Sequence, residues 1–361
     1  MSQVKERNHL LDTIKGVAII LVVFGHCIQL GCGTEYIEQK AYWENIIFQI
    51  IYSFHMPLFA LVSGYLMYPS LQRYVLGEYV KKQLQNIGLP LLSWSIIAFS
   101  ISLAKNGVGG GFLYKSYFNT LMGNLWFLRV LLVDSLLIAV VITIFKSMRS
   151  RMIAFGIILI IALFMPDVFH YNRAVYLLPY IVIGYVGYPY LKSHEKKKLP
   201  WWLVISSIAI FAVLLIGFKS EYIYSYPHAY TYLMAQGSYL QNIAHQLYVD
   251  AYRWLIGFAG CAMVVLVVCK LVQNTRNIVS EIGKLSLAIY ILSVMIYQEF
   301  LVLLTGSVSY NILLISLESI IIIALCVITA KILCLNKFVG RAFLGNTNFS
   351  FNLRKSSIYR L

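Results

Sequence analysis

Long apolar runs dominate this sequence and restrict what it can fold into. Apolar residues make up 60% of the 361 residues, and charged residues make up only 12%. A soluble domain alternates polar and apolar residues over short distances, whereas a run of about 20 apolar residues is long enough to cross a bilayer as a helix. The chain is therefore predicted to be an all-α polytopic membrane protein.

Ten stretches are predicted to be transmembrane helices, of which the fifth is the shortest. They cover residues 16–33, 44–68, 87–104, 121–145, 152–166, 174–191, 201–218, 247–269, 285–304 and 310–333. Lys and Arg near the ends of spans stay in the cytoplasm. With a cytoplasmic N-terminus, 22 of these residues fall on the cytoplasmic side and 5 on the outer side. The asymmetry predicts that both termini are cytoplasmic and that the number of spans is even.

The predicted domain organisation is one membrane domain over 1–335 and a short basic cytoplasmic tail over 336–361, which is too small for a core of its own. A cleaved signal peptide is the alternative for the first span, but the apolar run is long and no A-x-A site follows it. The net charge of +15 is scattered over short cytoplasmic segments, which favours membrane lipid headgroups and not nucleic acid as the partner. The cysteine spacing predicts no metal site.

Two ionisable side chains, Lys15 and His26, lie in the first apolar run with no charge between them. Eleven helical residues bring them to the same face and separate them by about 16 Å along the axis. Asp12 and Gln29 extend the same polar stripe. Because an ionisable residue inside a membrane is costly, it usually has a function. The pattern predicts that Lys15 lies near the cytoplasmic surface and that His26 lies deep in the membrane on the same face of the helix.

Polar residues also interrupt the later spans. His55 lies two residues before Pro57, whose kink frees a backbone carbonyl, so His55 either lines a cavity or bonds a neighbouring helix. Ser63 and Gly64 are typical of a close helix contact. Arg129 lies inside the fourth span and needs either a carboxylate or an anionic ligand there.

Four further features concern the spans and the outer segments. Asp250 and Arg253 are three residues apart and are predicted to pair with each other, whereas Glu318 is the one carboxylate of the tenth span and needs a donor. Tyr290 belongs to a polar stripe on the ninth span. The outer segment 219–246 is rich in tyrosine, which indicates either an interfacial aromatic belt or a surface that binds sugar.

Four segments resemble, in order and spacing, the integral-membrane acyltransferase-three family: KGVAIILVVFGH, SFHMPLFALVSGYLM, LWFL and IGKLSLAIYIL. The resemblance extends to the fucose 4-O-acetylase-like and polysaccharide O-acetyltransferase branch. It implies a ten-helix enzyme of the bacterial cytoplasmic membrane that moves an acyl group, acetyl by family, from cytoplasmic acetyl-CoA to a sugar hydroxyl on the outer side. Lys15 stands where the family usually has Arg, and His26 stands at the family's His. The His that often ends the ninth-span motif is Ser293 here.

The resemblance also implies roles for these residues. His26 would act as a general base on the acceptor hydroxyl or as an acyl-imidazole relay. Lys15 would assist catalysis and attract the phosphates of acyl-CoA, although lysine lacks the planar fork of arginine. His55 is the candidate for a proton relay, and Arg129 is the candidate for contact with the donor, the oxyanion or the acceptor. The candidate substrate-binding residues are Trp126, Arg129, Ser63, Tyr290 and Glu318.

Two other classes of function remain open at this point. A transporter or flippase for a glycolipid or small metabolite would use His26, Arg129 and Glu318 as a substrate or proton pathway. Inverted repeats would favour that class, and no convincing repeat relates the two halves of the chain. A non-catalytic membrane sensor is supported only by the missing ninth-span His.

Overall fold

The computed structural model describes residues 8–106, 125–163, 171–193, 199–225, 239–272, 274–297, 301 and 309–345. Within these ranges the chain is helical and contains no β-strand. The α-helices of the described ranges are α1 His9–Leu30, α2 Thr34–Glu38, α3 Ile46–Arg73, α4 Leu76–Gln83, α5 Leu89–Asn106, α6 Trp126–Ile144, α7 Met148–Leu163, α8 Asn172–Ser193, α9 Trp201–Ile216, α10 Tyr239–Leu271, α11 Ile278–Lys284, α12 Ser286–Leu292, α13 Ile312–Leu333 and α14 Lys337–Leu344. The all-α prediction is confirmed.

Seven helical stretches of the described chain are long and apolar enough to cross a membrane. The pair α11–α12, bent by 68° where Leu285 separates the two helices, would make an eighth. Each of the ten predicted spans contains a helix, but α7 and α9 have only 16 residues each. The chain is a polytopic helical protein of the membrane type, while the total of ten spans and the cytoplasmic termini stay predictions.

Asparagine side chains begin three of the long helices. Asn8 starts α1, Asn45 starts α3 and Asn311 starts α13, and each accepts hydrogen bonds from backbone amides of the first turn. Those amides have no partner within the helix, so the caps fix where each helix begins. The first helix begins before the predicted residue 16, and it therefore carries Lys15 and His26 in one uninterrupted segment.

Glycines bring α3 and α8 into direct backbone contact. A Cβ atom at Gly64 would lie 2.0 Å from the carbonyl oxygen of Ile181, and one at Gly184 would lie 2.0 Å from that of Leu61. No side chain fits between the two helices at these points, so the small-residue contact predicted from Ser63 and Gly64 is present at Gly64. The contact fixes α8 beside the helix that carries His55.

The predicted boundary between the membrane domain and the basic tail falls just before α14. This helix packs against α5: the indole Nε1 of Trp94 donates a hydrogen bond to the carbonyl of Phe343 over 2.8 Å, and Leu344 is fully buried. The division into 1–335 and 336–361 stays a prediction, and residues 346–361 lie outside the described part of the chain.

Candidate active site

His26 lies on α1, four residues before the helix ends at Leu30. Its Nδ1 atom is buried and makes no hydrogen bond within the described ranges. The side chain of Gln29 lies within reach of the imidazole, and the Tyr52 hydroxyl donates a hydrogen bond to Gln29 Oε1 over 3.4 Å. A Cβ atom at Gly25 would lie 2.8 Å from Cε2 of Tyr52, so α1 and α3 meet directly beside His26.

His55 lies on α3 close to His26, and the two imidazoles interact electrostatically. The Nδ1 atom of His55 is 2.7 Å from the carbonyl oxygen of Ile51. Because a carbonyl oxygen only accepts, this contact assigns the proton to Nδ1 and leaves Nε2 as an acceptor. The hydroxyl of Tyr224 lies 3.5 Å from that Nε2 atom. Burial raises the pKa of Tyr224 well above its ordinary value, so the phenol stays protonated and donates this bond.

An aromatic cluster, defined as Tyr52, Trp126, Tyr176, Tyr224 and Tyr290, surrounds this pair of histidines. The ring of Tyr224 stacks on those of Tyr176 and Tyr52, with centroid distances of 5.6 and 6.0 Å and interplanar angles of 20° and 14°. Its centroid lies 5.3 Å from that of Trp126. The four tyrosines are buried, whereas Trp126 is only partly buried, so the indole is the ring of this cluster that a sugar can reach.

Two arginines lie beside the aromatic cluster. The guanidinium carbon of Arg173, near the start of α8, lies 4.9 Å from the centroid of the Trp126 ring. The charges of both Arg129 and Arg173 act on the hydroxyl of Tyr290, which also accepts a hydrogen bond from the Phe127 amide over 3.4 Å. The helices α6, α8 and α12 therefore converge on a site with positive electrostatic potential.

A buried ion pair holds the turn that carries Tyr224. Arg253 is only 1% exposed, and its Nη1 atom lies 2.9 Å from Oδ1 of Asp250. Its Nε donates to the carbonyl of Tyr222 over 2.7 Å, and its Nη2 donates to the carbonyl of Glu221 over 3.1 Å. The mutual pair predicted from the spacing is present, and it also fixes the backbone two and three residues before Tyr224.

The backbone at the start of α6 is strained. Leu125 has φ +47° and is 1% exposed, and it immediately precedes Trp126. A branched side chain in this left-handed region costs about 1–3 kcal/mol and persists only where the surroundings enforce it. The turn directs Trp126 towards Tyr224 and Arg173.

Lys15 lies apart from this cluster. Its Nζ atom is 2.7 Å from Asp12 Oδ1, and 20% of its side chain is exposed. Eleven residues of continuous helix separate it from His26, which corresponds to about 16 Å. The side chain predicted to bind the phosphates of the donor is therefore partly neutralised within its own helix.

Two other candidate residues, Ser63 and Glu318, lie on α3 and α13. Ser63 follows His55 by eight residues on α3, about 12 Å along the axis, beside the contact with α8. Glu318 on α13 faces the end of α1, where a Cβ atom at Gly31 would lie 2.2 Å from its Oε2 atom. Both carboxylate oxygens are buried and make no hydrogen bond within the described ranges.

Tyr52, Tyr224 and Arg173, at or beside the cluster, were not predicted as site residues. Tyr52 precedes His55 by one helical turn and so shares its helix face, and Arg173 is one of the five Lys and Arg residues that the charge pattern assigns to the outer side. Tyr224 belongs to the tyrosine-rich outer segment, and its burial distinguishes it from the exposed rings of an interfacial belt. Residues 226–238 of that segment lie outside the described ranges. Across the described residues, no group of three His, Cys, Asp or Glu side chains is placed to hold a metal ion.

The chain is similar to known proteins along most of its length. The acyltransferase domain model of the acyltransferase-3 family matches residues 8–333. Nodulation protein NolL of Sinorhizobium fredii is 35% identical over 135 residues, covering 36% of each chain, and NolL of Mesorhizobium japonicum is 28% identical over 233 residues, covering 61% of this chain and 59% of that protein. Glucans biosynthesis protein C of Escherichia coli is 27% identical over 163 residues, covering 41% of each chain.

The alignments span between about a third and three fifths of the length of these curated relatives. No solved structure matches the chain. The family match covers the helices that carry both histidines, both arginines and all five residues of the aromatic cluster. It confirms the resemblance inferred from the four sequence segments, and the chain belongs to the acyltransferase-3 family.

Proposed function

We propose that this protein is a membrane O-acetyltransferase that moves an acetyl group from cytoplasmic acetyl-CoA to a hydroxyl of an extracytoplasmic or lipid-linked sugar, in the bacterial cytoplasmic membrane. The observation that carries the proposal is the position of His26, which lies beside His55 and the aromatic cluster at one end of a helix whose other end carries Lys15. Membership of the family favours acyl transfer over transport or sensing.

His26 supplies the base in this proposal. Its neutral imidazole takes the proton of the acceptor hydroxyl while the hydroxyl oxygen attacks the thioester carbonyl. The carbon–sulfur bond then breaks, and the imidazolium returns the proton to the departing CoA thiolate. In the alternative, His26 itself attacks the thioester, and the carbon–sulfur bond breaks as the CoA thiolate leaves with the imidazole proton. The acyl-imidazole then passes the acyl group to the sugar hydroxyl, whose proton returns to the imidazole.

The residues around His26 position the acceptor and the base. His55 keeps its Nδ1 proton on the Ile51 carbonyl, so its Nε2 atom accepts the hydrogen bond of the Tyr224 hydroxyl. The half-buried ring of Trp126 supplies the face on which the sugar stacks. Arg129 is placed to stabilise negative charge near Tyr290.

Lys15 guides the donor by charge. The distance of about 16 Å between Lys15 and His26 along α1 resembles the reach of a pantetheine arm. Because Asp12 shares its charge, Lys15 acts as an attractive point charge and not as a dedicated phosphate clamp. The thioester would then reach His26 from the cytoplasmic side while the sugar arrives from the other.

The proposal is tested in cells that express wild type, His26→Ala or His245→Ala, the last being an exposed histidine outside the cluster and the matched control. NMR of the surface glycan should show O-acetyl groups with wild type and with His245→Ala, and none with His26→Ala at equal membrane levels. Acetylation that survives in His26→Ala would overturn the assignment. Rapid quenching of purified protein with labelled acetyl-CoA and no acceptor then separates the two mechanisms, since only the relay leaves label on His26.

A further inference from the structure

Arg173 belongs to none of the ion pairs in the described part of the chain. Its charge acts on the hydroxyls of Tyr290 and Tyr224. Asp250, on α10, is already paired with Arg253. Arg173 therefore brings to the aromatic cluster a positive charge with which no carboxylate of the described residues is paired.

The guanidinium of Arg173 is oriented to bind an anionic group. It packs on the Trp126 ring, and within the described ranges it makes no hydrogen bond and no ion pair. Stacking on an indole uses the face of the guanidinium and leaves its N–H donors, which lie in the plane, available for another group. Arg173 is also the second residue of the 22-residue helix α8, where the free backbone amides favour an anion as well.

We propose that the acceptor sugar is anionic and that Arg173, with Arg129, holds its phosphate or carboxylate group while the sugar ring lies on the half-buried Trp126. This inference rests on the proposed function and deepens it by naming the acceptor class. Planar guanidinium groups match the geometry of both anions through paired hydrogen bonds. Arg173 is thus the residue that determines specificity for a charged acceptor.

The anion belongs to the acceptor and not to the donor. Arg173 acts on Tyr290 and stacks on Trp126, beside the histidines, whereas Lys15 lies about 16 Å from His26 at the other end of α1. The phosphates of a donor whose thioester reaches His26 therefore lie far from Arg173. Only a group that accompanies the reacting hydroxyl reaches both arginines.

The test measures acetyl transfer from acetyl-CoA by the purified full-length chain to three probes: an alkyl glucoside, the matching alkyl glucuronide and a prenyl-phosphate glucose. The readout is the ratio of kcat/KM for each anionic probe to that for the neutral one. A hydrogen bond to a charged group changes affinity by about tenfold to a hundredfold, so wild type should prefer one anionic probe by at least about tenfold. The preferred probe identifies carboxylate or phosphate as the natural group.

The variants are Arg173→Gln, Arg173→Lys and the matched control Arg73→Gln, which removes an exposed arginine that packs on Tyr74 at the end of α3, outside the cluster. Arg173→Gln should bring the ratio close to one, mainly through KM. Arg173→Lys should keep part of the preference, and Arg73→Gln should keep all of it. Partial misfolding lowers all three rates together and leaves the ratio unchanged. A wild-type ratio near one, or a wild-type ratio retained in Arg173→Gln, would overturn the inference.

Failure of the proposed function gives a different result. If wild type acetylates none of the probes, or if His26→Ala acetylates them as well as wild type, acyl transfer by His26 is refuted. The anion site is then measured alone, through the rise in melting temperature that inorganic pyrophosphate causes. A rise in wild type that is lost in Arg173→Gln supports the site, and equal behaviour of the two proteins refutes it.

Discussion

Removing the buried Arg253 should destabilise the protein and release Tyr224 from the active site. Within the described ranges the guanidinium of Arg253 contacts the Asp250 carboxylate at 2.9 Å, the Tyr222 carbonyl at 2.7 Å and the Glu221 carbonyl at 3.1 Å. The first contact joins two groups of α10, and the other two hold the turn that precedes Tyr224. Loss of the first contact should therefore lower stability, whereas loss of the other two should release Tyr224 from its position.

The magnitude follows from burial. Arg253 is 1% exposed and Asp250 is 6% exposed, so Arg253→Leu leaves a carboxylate buried without its partner. Breaking one side of such a pair costs about 3–5 kcal/mol, whereas replacing both sides with apolar residues is often neutral. Arg253→Leu should therefore lose about 3–5 kcal/mol of stability, and the double variant Asp250→Leu with Arg253→Leu should regain most of it. Neither variant restores the two bonds to the turn.

Thermal unfolding of the purified variants in detergent measures the first effect, and initial rates of acetyl transfer measure the second. The double variant should melt close to wild type yet transfer acetyl at least about tenfold more slowly, because Tyr224 no longer has a fixed position beside His55. A double variant that recovers both stability and rate would refute the positioning role of Arg253. A single variant that melts like wild type would refute the energetic reasoning.

Three further predictions concern the packing, the aromatic cluster and the first helix. Gly64→Ala should lower the melting temperature by an amount equivalent to about 1–3 kcal/mol, because its Cβ would meet the Ile181 carbonyl at 2.0 Å, whereas Gly77→Ala, with nothing within 4 Å, should not. Tyr224→Phe should slow transfer up to about tenfold through loss of the hydroxyl near His55, and Tyr224→Ala should slow it more; initial rates equal to wild type in both would contradict this. Lys15→Arg should retain transfer and Lys15→Glu should lose it, and equal rates would mean that Lys15 serves only as a topology signal.

The sequence predicted the parts of the fold that depend on local pattern. Apolar run length located a helix in every predicted span, and the small residue at Gly64 indicated a close helix contact without identifying α8 as the partner. The pairing of Asp250 with Arg253 followed from their spacing on one helix. These features depend on residues close together in the chain, so periodicity alone carries them.

The composition of the active site depends on contacts between distant segments. Tyr224 reaches His55 from a turn 169 residues away, and Arg173 reaches Trp126 from another helix. No periodicity within one helix indicates which turn folds back onto which span. Glu318 is a further example, since its contact with Gly31, just beyond the end of α1 and five residues after His26, joins the tenth predicted span to the first.

Two kinds of arginine can be distinguished from the sequence by the presence or absence of an acidic residue one helical turn away. Arg253 has an acidic residue three positions earlier in its helix, and the structure uses it to fix a turn. Arg129 and Arg173 have no acidic residue three or four positions away on either side, and both lie beside the aromatic cluster. Because Asp250 in the same helix compensates its charge, Arg253 can serve a structural role and bind the backbone of a neighbouring turn. Arg173 has no acidic partner within its own helix and lies against an aromatic ring, so it is the arginine expected to meet a charged substrate.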